Sequence, residues 1–380
     1  MSTIDDFDAI VIGAGMAGAS VAYFLARQAR VLVLEREDYA GYHTTGRSAA
    51  LFSETYGSAQ VRALTRATRP FLQSPPPGFA AHRLLSPRGS LVIASEADEA
   101  RLRHDFEAMR PLTGDLAWLD SEAIRERVPV LREAFAHAGF LEPRAADIDV
   151  NELHQGFLRG VRERHGVLRL DAEVREIVRG PGHWLVEAGQ HRYRAPLLLN
   201  AAGAWVDQIA AFAGVAPIGI EPRRRSAFLF EPPADVATAD WPFVTDVGES
   251  FYFKPDAGLL LGSPANVDPD MPHDVHPEEL DIALGIYRIE EATTMSIRRP
   301  ARTWAGLRSF VADGDLVGGF APDTEGFFWV AGQGGYGIQT SAAMGEACAA
   351  LAQGRPMPAH LADAGVTAAM LDPRRLTGRP

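Results

Sequence analysis

The stretch AIVIGAGMAGASVAYFLARQARVLVLE, residues 9–35, decides the fold. Ala9 to Ile12 is an apolar run that reads as a buried parallel strand, and Gly13, Gly15 and Gly18 follow in G-x-G-x-x-G spacing. A helical stretch then turns Val21, Phe24 and Leu25 inward, and a second apolar strand, Val31 to Leu34, ends in Glu35. The whole is a βαβ unit for a dinucleotide. Gly13 permits the tight strand-to-helix turn, Gly15 lets the backbone approach a pyrophosphate, and Gly18 lets helix and sheet pack closely. The pyrophosphate is expected at the helix N-terminus, where free N–H groups and the helix dipole favour negative charge. Glu35 stands about 20 residues into the unit, the offset of the acid that accepts from an adenosine ribose. The motif alone does not choose between FAD and NAD.

A chain of 380 residues is long enough for two domains or one large one with a buried core and a ligand cleft. Its net charge of −12 argues against nucleic acid or an anionic membrane as partner, while leaving room for an anionic small molecule in a locally basic pocket. One cysteine, Cys348, excludes an internal disulfide and a cysteine-rich metal site, so no metal is expected. Cys348 lies in the alanine-rich GEACAALA, where a small buried residue is expected rather than a flavin tether. The acidic start MSTIDDFDAI lacks a basic n-region, and the longest apolar tract, near 195–220, is broken by Asn200, Asp207 and Gln208. No signal peptide or membrane span is therefore expected; the cytoplasm is the expected location, with peripheral attachment to the inner membrane left open.

Local punctuation organises the rest. Pro70, the Pro75–Pro76–Pro77–Gly78 cluster, Pro87 and Gly89 mark a passage out of the nucleotide domain. Residues 96–133 read as helical, with Ser95 and Ser121 as caps. VLRLDAEV, HWLVEA and HRYRAPLLLN between 167 and 200 read as strands. So do RRRSAFLF and SFYFKPDAGLLLG, the latter a hairpin turning at Pro255–Asp256–Ala257–Gly258. A glycine-rich helix start follows at 332–346. The interleaving predicts an α/β protein: a Rossmann-like nucleotide-binding domain from residues 1–80, 145–215 and 320–380, and a substrate domain from 81–144 and 216–319. The substrate domain is expected to carry a large mixed or antiparallel sheet flanked by helices.

Three further stretches, GYHTTGRSAA (41–50), NAAGAW (200–205) and GGYGIQTSAAMGE (334–346), together resemble the D-amino-acid oxidase superfamily of FAD-dependent oxidoreductases. Within it the chain is most similar to the D-arginine dehydrogenase group, through HTTGRSAA, RRSAFLF, SFYFKPDAGLLLGSPAN and TWAGLRSFVADGDLV. The resemblance implies non-covalent FAD in a glutathione-reductase-like fold. Gly13, Gly15, Ala17 and Gly18 would lie at the pyrophosphate, Glu35 and Arg36 at the adenosine, and Thr45, Ser48 and Ala49 towards the isoalloxazine. Val174, Ala202, Gly203 and Gly335 would line the same site, with Gly337, Ile338, Gln339 and Thr340 at the flavin's pyrimidine edge.

An amino-acid carboxylate in a cleft needs charge-assisted, preferably bidentate partners, which arginine supplies best. In RRRSAFLF the strand period sets Arg223 and Arg225 on one face and Arg224 on the other. The resemblance selects Arg225 and Arg308 as the carboxylate pair, with Tyr252 directed at the same group, Tyr56 closing the pocket and the Gly335 carbonyl receiving the substrate amine. Lys254 shares a face with Tyr252, but its place near the hairpin tip predicts a solvated ammonium. His43 is expected in a structural hydrogen bond, and no catalytic base stands out.

The implied reaction is oxidative deamination of D-amino acids by hydride transfer to flavin N5, with quinone or oxygen as acceptor. One departure shifts the substrate. Where the arginine-oxidising relatives set a glutamate and a histidine, this chain has Ser90 and Leu51. With Phe243 as further apolar wall, neutral or aromatic D-amino acids are expected over D-arginine. A glycine or sarcosine oxidase, a 2-hydroxy-acid dehydrogenase and a non-catalytic flavin binder are the competing readings.

Overall fold

The computed structural model describes residues 4–376. Its framework is a six-stranded sheet in the order Val167–Arg169, Val31–Leu34, Ala9–Ile12, Leu197–Asn200, Phe327–Ala331, Val317–Phe320, parallel except for the last strand. Ala9–Ile12 and Val31–Leu34 are buried along their whole length, as expected of parallel strands covered on both faces. Helix Met16–Leu25 packs on one face against Ser341–Ala352 and Val150–Glu163. A four-stranded sheet, Ile4–Asp6, His191–Ala195, His183–Ala188 and Val174–Gly180, covers the other side with Trp184, Val186 and Tyr193.

A second large sheet carries the site. Its path is Asp268–Pro269, Glu221–Phe230, Leu259–Ser263, Tyr252–Asp256, Phe243–Asp246, Ser90–Ala94, Ala138–Glu142, Ala117–Asp120, with Arg302–Phe310 paired beside Glu221–Phe230. It is antiparallel except where Phe243–Asp246 meets Ser90–Ala94. Alternation sends Phe228, Phe230, Phe253 and Leu260 to one core, closed by Ile282 and Ile289 of helix Glu279–Ala292. The opposite face keeps Arg225, Tyr252 and Arg308 for the cleft. A small sheet of Leu51–Phe52, Ala146–Ile148 and Leu85–Pro87 flanks that face.

The structure revises several local expectations. Residues 96–133 are not continuously helical: strand Ala117–Asp120 separates helices Glu99–Thr113 and Ser121–Arg127. Asp120, not Ser121, caps the second helix, its carboxylate accepting the Ala123 N–H at 2.9 Å, because the acid stands one residue nearer the strand and reaches the same orphan donor. Helix Ala59–Gln73 runs through Pro70 and stops one turn later. Near 332–346 the helix itself begins only at Ser341. The hairpin turns on Ala257 and Gly258 alone, with φ of +49° and +85°, the left-handed pair of a two-residue turn. Lys254 therefore stands within the strand Tyr252–Asp256 and not at its tip.

Candidate active site

One continuous cleft runs from the end of strand Ala9–Ile12 to the arginine-bearing face of the large sheet. At the strand end, Gly13 has φ of +98°, and a Cβ there would lie 2.5 Å from the Ala201 carbonyl oxygen. Only glycine fits that turn. The Glu35 carboxylate accepts the Ala14 N–H at 2.9 Å and the Glu37 N–H at 3.1 Å, so it braces the glycine turn from the neighbouring strand. Thr45 Oγ1 accepts the Met16 N–H at 2.9 Å, pinning the 41–50 stretch over the helix start. Arg36 stacks 4.5 Å above Trp205, and His43 Nε2 lies 2.8 Å from Glu37 Oε1, the structural bond expected of it.

Gly13, Gly15, Ala17, Glu35, Arg36, Thr45, Ser48, Ala49, Val174, Ala202, Gly203, Gly335, Gly337 and Ile338 all lie on the cleft wall. Gly18, Gln339 and Thr340 stand behind it. A Cβ on Gly18 would fall 1.8 Å from the Gly13 carbonyl oxygen, so Gly18 serves the packing of helix on turn. The sealed Gln339 side chain accepts the Ser53 N–H at 3.2 Å and donates to Thr65 Oγ1 at 2.9 Å, and Thr340 donates to the Tyr336 carbonyl at 2.8 Å. These two side chains brace the wall and do not face the cleft. Gln333, also on the wall, has a buried Nε2 with no hydrogen-bond partner. A side-chainless cradle, a helix start with no side-chain cap from its own Gly15, and an orphaned amide together fit a large, polar, anionic cofactor such as FAD.

At the far end the three consecutive arginines separate. Arg224 points away from the cleft into carboxylates, with Asp281 at 2.9 Å, Asp270 at 3.1 Å and Glu278 at 2.9 Å. Arg223 pairs with Glu221 at the surface and lies over the Phe310 ring. Arg225 enters the cleft, its Nε donating to the Asn266 carbonyl at 2.7 Å and its guanidinium 6.0 Å from the Tyr252 ring. Arg308 comes from the partner strand, two residues beyond Gly306, which faces Arg225 in the register. Its Nη1 donates to Tyr56 Oη at 3.5 Å. A Cβ on Gly335 would lie 2.9 Å from that Nη1, so the glycine makes room for the guanidinium. Neither Arg225 nor Arg308 has a carboxylate within ion-pair distance among the described residues, unlike Arg224.

The electrostatics follow from that arrangement. Desolvation, and then the Arg308 charge, hold Arg225 below its ordinary pKa. Burial pushes the Tyr252 phenol up, but the Arg308 and Arg225 charges outweigh it and leave the phenol below its usual value. Tyr56 packs its ring 5.0 Å from Tyr336, whose own phenol is pushed up by burial.

The side-chain wall differs from expectation. Phe243 stacks on Tyr252 at 5.1 Å and 28° in an apolar cluster with Ala49, Leu229 and Trp304, of which Ala49 and Tyr252 line the main cleft and Phe243 stands behind them. Leu51 pairs with Asp147 in the small sheet, and buried Ser90 lies between Phe243 and Glu142 in the register. Neither lines the main cleft. Lys254 corrects a second expectation: it is 4% exposed, and its Nζ donates to Asp147 Oδ1 at 2.6 Å while Arg88 holds Oδ2 at 2.7 Å. The strand continues two residues past it, so its ammonium is sealed under the small sheet and takes a counter-ion. Sequence reading missed Glu142, Gln333 and Tyr336; the one signal for Glu142 is an acid closing the apolar strand AGFLE.

Known proteins match this architecture. The model of the DAO family, FAD dependent oxidoreductase, matches residues 8–351. The chain belongs to that family. It is 24% identical to bovine FAD-dependent oxidoreductase domain-containing protein 1 over 90% of this chain and 80% of the relative. Glycine oxidase from Geobacillus kaustophilus superposes with a TM-score of 0.81 at 20% identity, covering 92% of this chain and 95% of its own. L-Proline dehydrogenase from P. horikoshii gives 0.81 at 20% identity and 99% of both chains. At these identities the solved structures show a shared fold. This DAO-family chain is an FAD-dependent oxidoreductase, and among its described residues no helix is long and apolar enough to cross a membrane.

Proposed function

We propose that this chain oxidises the Cα–N bond of small amino acids, with D-amino acids bearing neutral or apolar side chains as the preferred class. The observation that carries the reading is the pair of cleft guanidiniums, Arg225 and Arg308, that have no carboxylate of their own. Two cations held side by side at a desolvation cost make sense where an anionic ligand completes them. Tyr252 and Tyr56 add phenols beside the same point, and the Gly335 carbonyl is the acceptor for the substrate amine. Ala49 and Tyr252 on the cleft wall, backed by Phe243, Trp304 and Leu229, offer no anion to a cationic side chain, which favours D-leucine or D-phenylalanine over D-arginine. The resemblance of HTTGRSAA and GGYGIQT to the D-arginine dehydrogenase group supports the D-configuration.

FAD, when bound, supplies the two-electron acceptor that takes the hydride from Cα. The chain's own work is positioning. Arg225 and Arg308 fix the carboxylate, the stacked Phe243 and Tyr252 direct the side chain, and the Tyr56 segment covers the site against water. Gly13, Gly15 and the Met16–Leu25 helix start would hold the pyrophosphate, with Gly337 and Ile338 at the pyrimidine edge. We assign residues 1–80, 145–215 and 320–380 to the cofactor domain and 81–144 and 216–319 to the substrate domain. Binding is non-covalent in this reading, since Cys348, the chain's one thiol, is sealed in helix Ser341–Ala352 with its pKa raised by burial.

The test is steady-state turnover of D- and L-leucine, phenylalanine and arginine, with glycine, sarcosine and lactate, using oxygen and a soluble quinone as acceptors. Preference for neutral D-amino acids supports the proposal. Preference for glycine or sarcosine would make the chain an amine oxidase on the same clamp, and preference for lactate a 2-hydroxy-acid dehydrogenase.

A further inference from the structure

Behind the cleft lies a carboxylate that the reaction does not use. Glu142 closes strand Ala138–Glu142 and is 0% exposed. Its Oε2 accepts from Ser53 Oγ at 2.7 Å and Thr55 Oγ1 at 2.8 Å, and its Oε1 accepts the Glu54 N–H at 2.8 Å. No lysine, arginine or histidine lies within ion-pair distance of it among the described residues. A sealed carboxylate without a counter-ion is costly, and an aliphatic side chain would fill the space at less expense if packing were its only task. All three donors come from one short run of chain, Ser53 to Thr55, and the next residue is Tyr56.

We infer that Glu142 is a positioning residue, holding the Ser53–Thr55 backbone so that Tyr56 is delivered to the Arg308 guanidinium. The inference rests on the reading of Arg225 and Arg308 as the substrate's carboxylate clamp. Each residue of the run is fixed separately. Ser53 N–H also donates to Gln339, and the Glu54 carboxylate pairs with Arg69 Nε at 2.8 Å, both side chains nearly sealed. Among the described residues the Tyr56 side chain has the 3.5 Å contact with Arg308 and the Tyr336 ring. After it, Gly57 at φ +88° turns the chain into helix Ala59–Gln73, with no space for a Cβ against Val61. The phenol is thus held between the run that Glu142 ties down and the Gly57 turn, whose carbonyl accepts from Arg62 Nη1. Burial pushes the Glu142 carboxyl above its ordinary pKa against the pull of Ser53, Thr55 and the Glu54 N–H, the cost of placing an acceptor there.

The experiment compares holoenzyme variants Glu142→Leu and Glu142→Gln with the parent, using D-leucine and glycine as probes. Glutamine keeps an oxygen for the Glu54 N–H and offers an amide to two hydroxyls that can rotate to accept, whereas leucine removes every acceptor. Glu142→Leu is expected to raise KM about tenfold with kcat within about threefold, because the missing contact is made to bound substrate before and during reaction alike. FAD content stays at the parental value, and hydrogen exchange over residues 53–57 accelerates. Glu142→Gln stays within about threefold of the parent in KM. If Glu142→Leu does not fold, Ser53→Ala combined with Thr55→Val removes two donors from the other side and must give the same KM rise. Parental KM in Glu142→Leu, or in the Ser53→Ala, Thr55→Val variant where the leucine variant does not fold, overturns the inference, whether or not exchange is faster. Arg308→Met separates the two levels: if it raises KM and Glu142→Leu does not, only this inference fails, and if it leaves KM unchanged the clamp reading falls and takes this inference with it.

Discussion

Replacing Arg308 with Met should cut kcat/KM for the preferred amino acid by about 30- to 1000-fold. A carboxylate about 4 Å from a guanidinium in a medium of effective dielectric near 20 gains about 4 kcal/mol from one charge. Two features of this site reduce that figure. Arg225 remains to hold the carboxylate, and its pKa, now depressed partly by the Arg308 charge, relaxes when that charge is removed. The net loss is then about 2–4 kcal/mol, inside the range for removing one partner of a close charge pair, and each 1.4 kcal/mol is tenfold. Most of it belongs in KM, since the carboxylate is held in ground state and transition state alike. The assay is rapid mixing of holoenzyme with D-leucine under anaerobic conditions, following bleaching of the flavin's visible absorption. Isoamylamine, which is leucine without its carboxylate, serves as control and should react equally slowly with parent and variant. A loss under about threefold, or parental reduction by the amine as fast as by the amino acid, refutes the clamp.

Ser90→Glu sets a second buried carboxylate directly across from Glu142 in the register. Tm should fall, since like charges directly opposite destabilise a strand pair, while the D-arginine to D-phenylalanine ratio of kcat/KM stays within about threefold of the parent because Ser90 does not line the cleft; a tenfold rise would return Ser90 to the substrate wall. Lys254→Met leaves Asp147 with Arg88 alone and should cost about 2–3 kcal/mol in urea unfolding, less than the loss of a pair with no second cation; an unchanged midpoint would mean that the pair contributes nothing net. The Tyr252 phenol is held below its usual pKa by two cations that favour phenolate, so Arg308→Met should move its ultraviolet titration to higher pH; a shift to lower pH contradicts the assignment.

The cofactor end of the molecule was legible because its chemistry is written in backbone. Gly13 and Gly15 act through φ and through missing Cβ atoms, which are local in sequence. Gly18 was legible for the same reason, as a packing glycine. The Glu35 carboxylate, by contrast, read as a ribose acceptor, braces the Ala14 and Glu37 N–H groups, a use the motif does not announce. The substrate end depends on pairings between distant strands. That Arg308 stands across from Arg223, two residues from the partner of Arg225, is a property of the Glu221–Phe230 and Arg302–Phe310 register, and periodicity alone supplied only the face. Ser90 and Leu51 were assigned to the cleft by position in a motif, yet the small sheet formed by Leu51–Phe52, Ala146–Ile148 and Leu85–Pro87 sets Leu51 against Asp147.

Lys254 shows why such residues resist prediction. A lysine near a turn is ordinarily solvated, and nothing in FYFKPDAG contradicts that. What decides its state is Asp147, 107 residues away, arriving on a strand too short to be recognised by alternation. The same holds for Glu142 and its three donors from Ser53 to Thr55. In both cases a charge that would be expelled from an apolar face is retained because a distant segment brings the complementary groups, so a burial forecast from neighbours in sequence has the wrong sign. The two anchors also share a geometry. Asp147 ties the strand opposite Leu51 to the large sheet through Lys254, and Glu142 ties Ser53 to Thr55 to the same sheet three strands further on. The run from Leu51 to Tyr56 is therefore stitched to the sheet that bears Arg225 and Tyr252 at both ends. Loosening either stitch should move the phenol relative to the guanidiniums without touching a residue that contacts substrate.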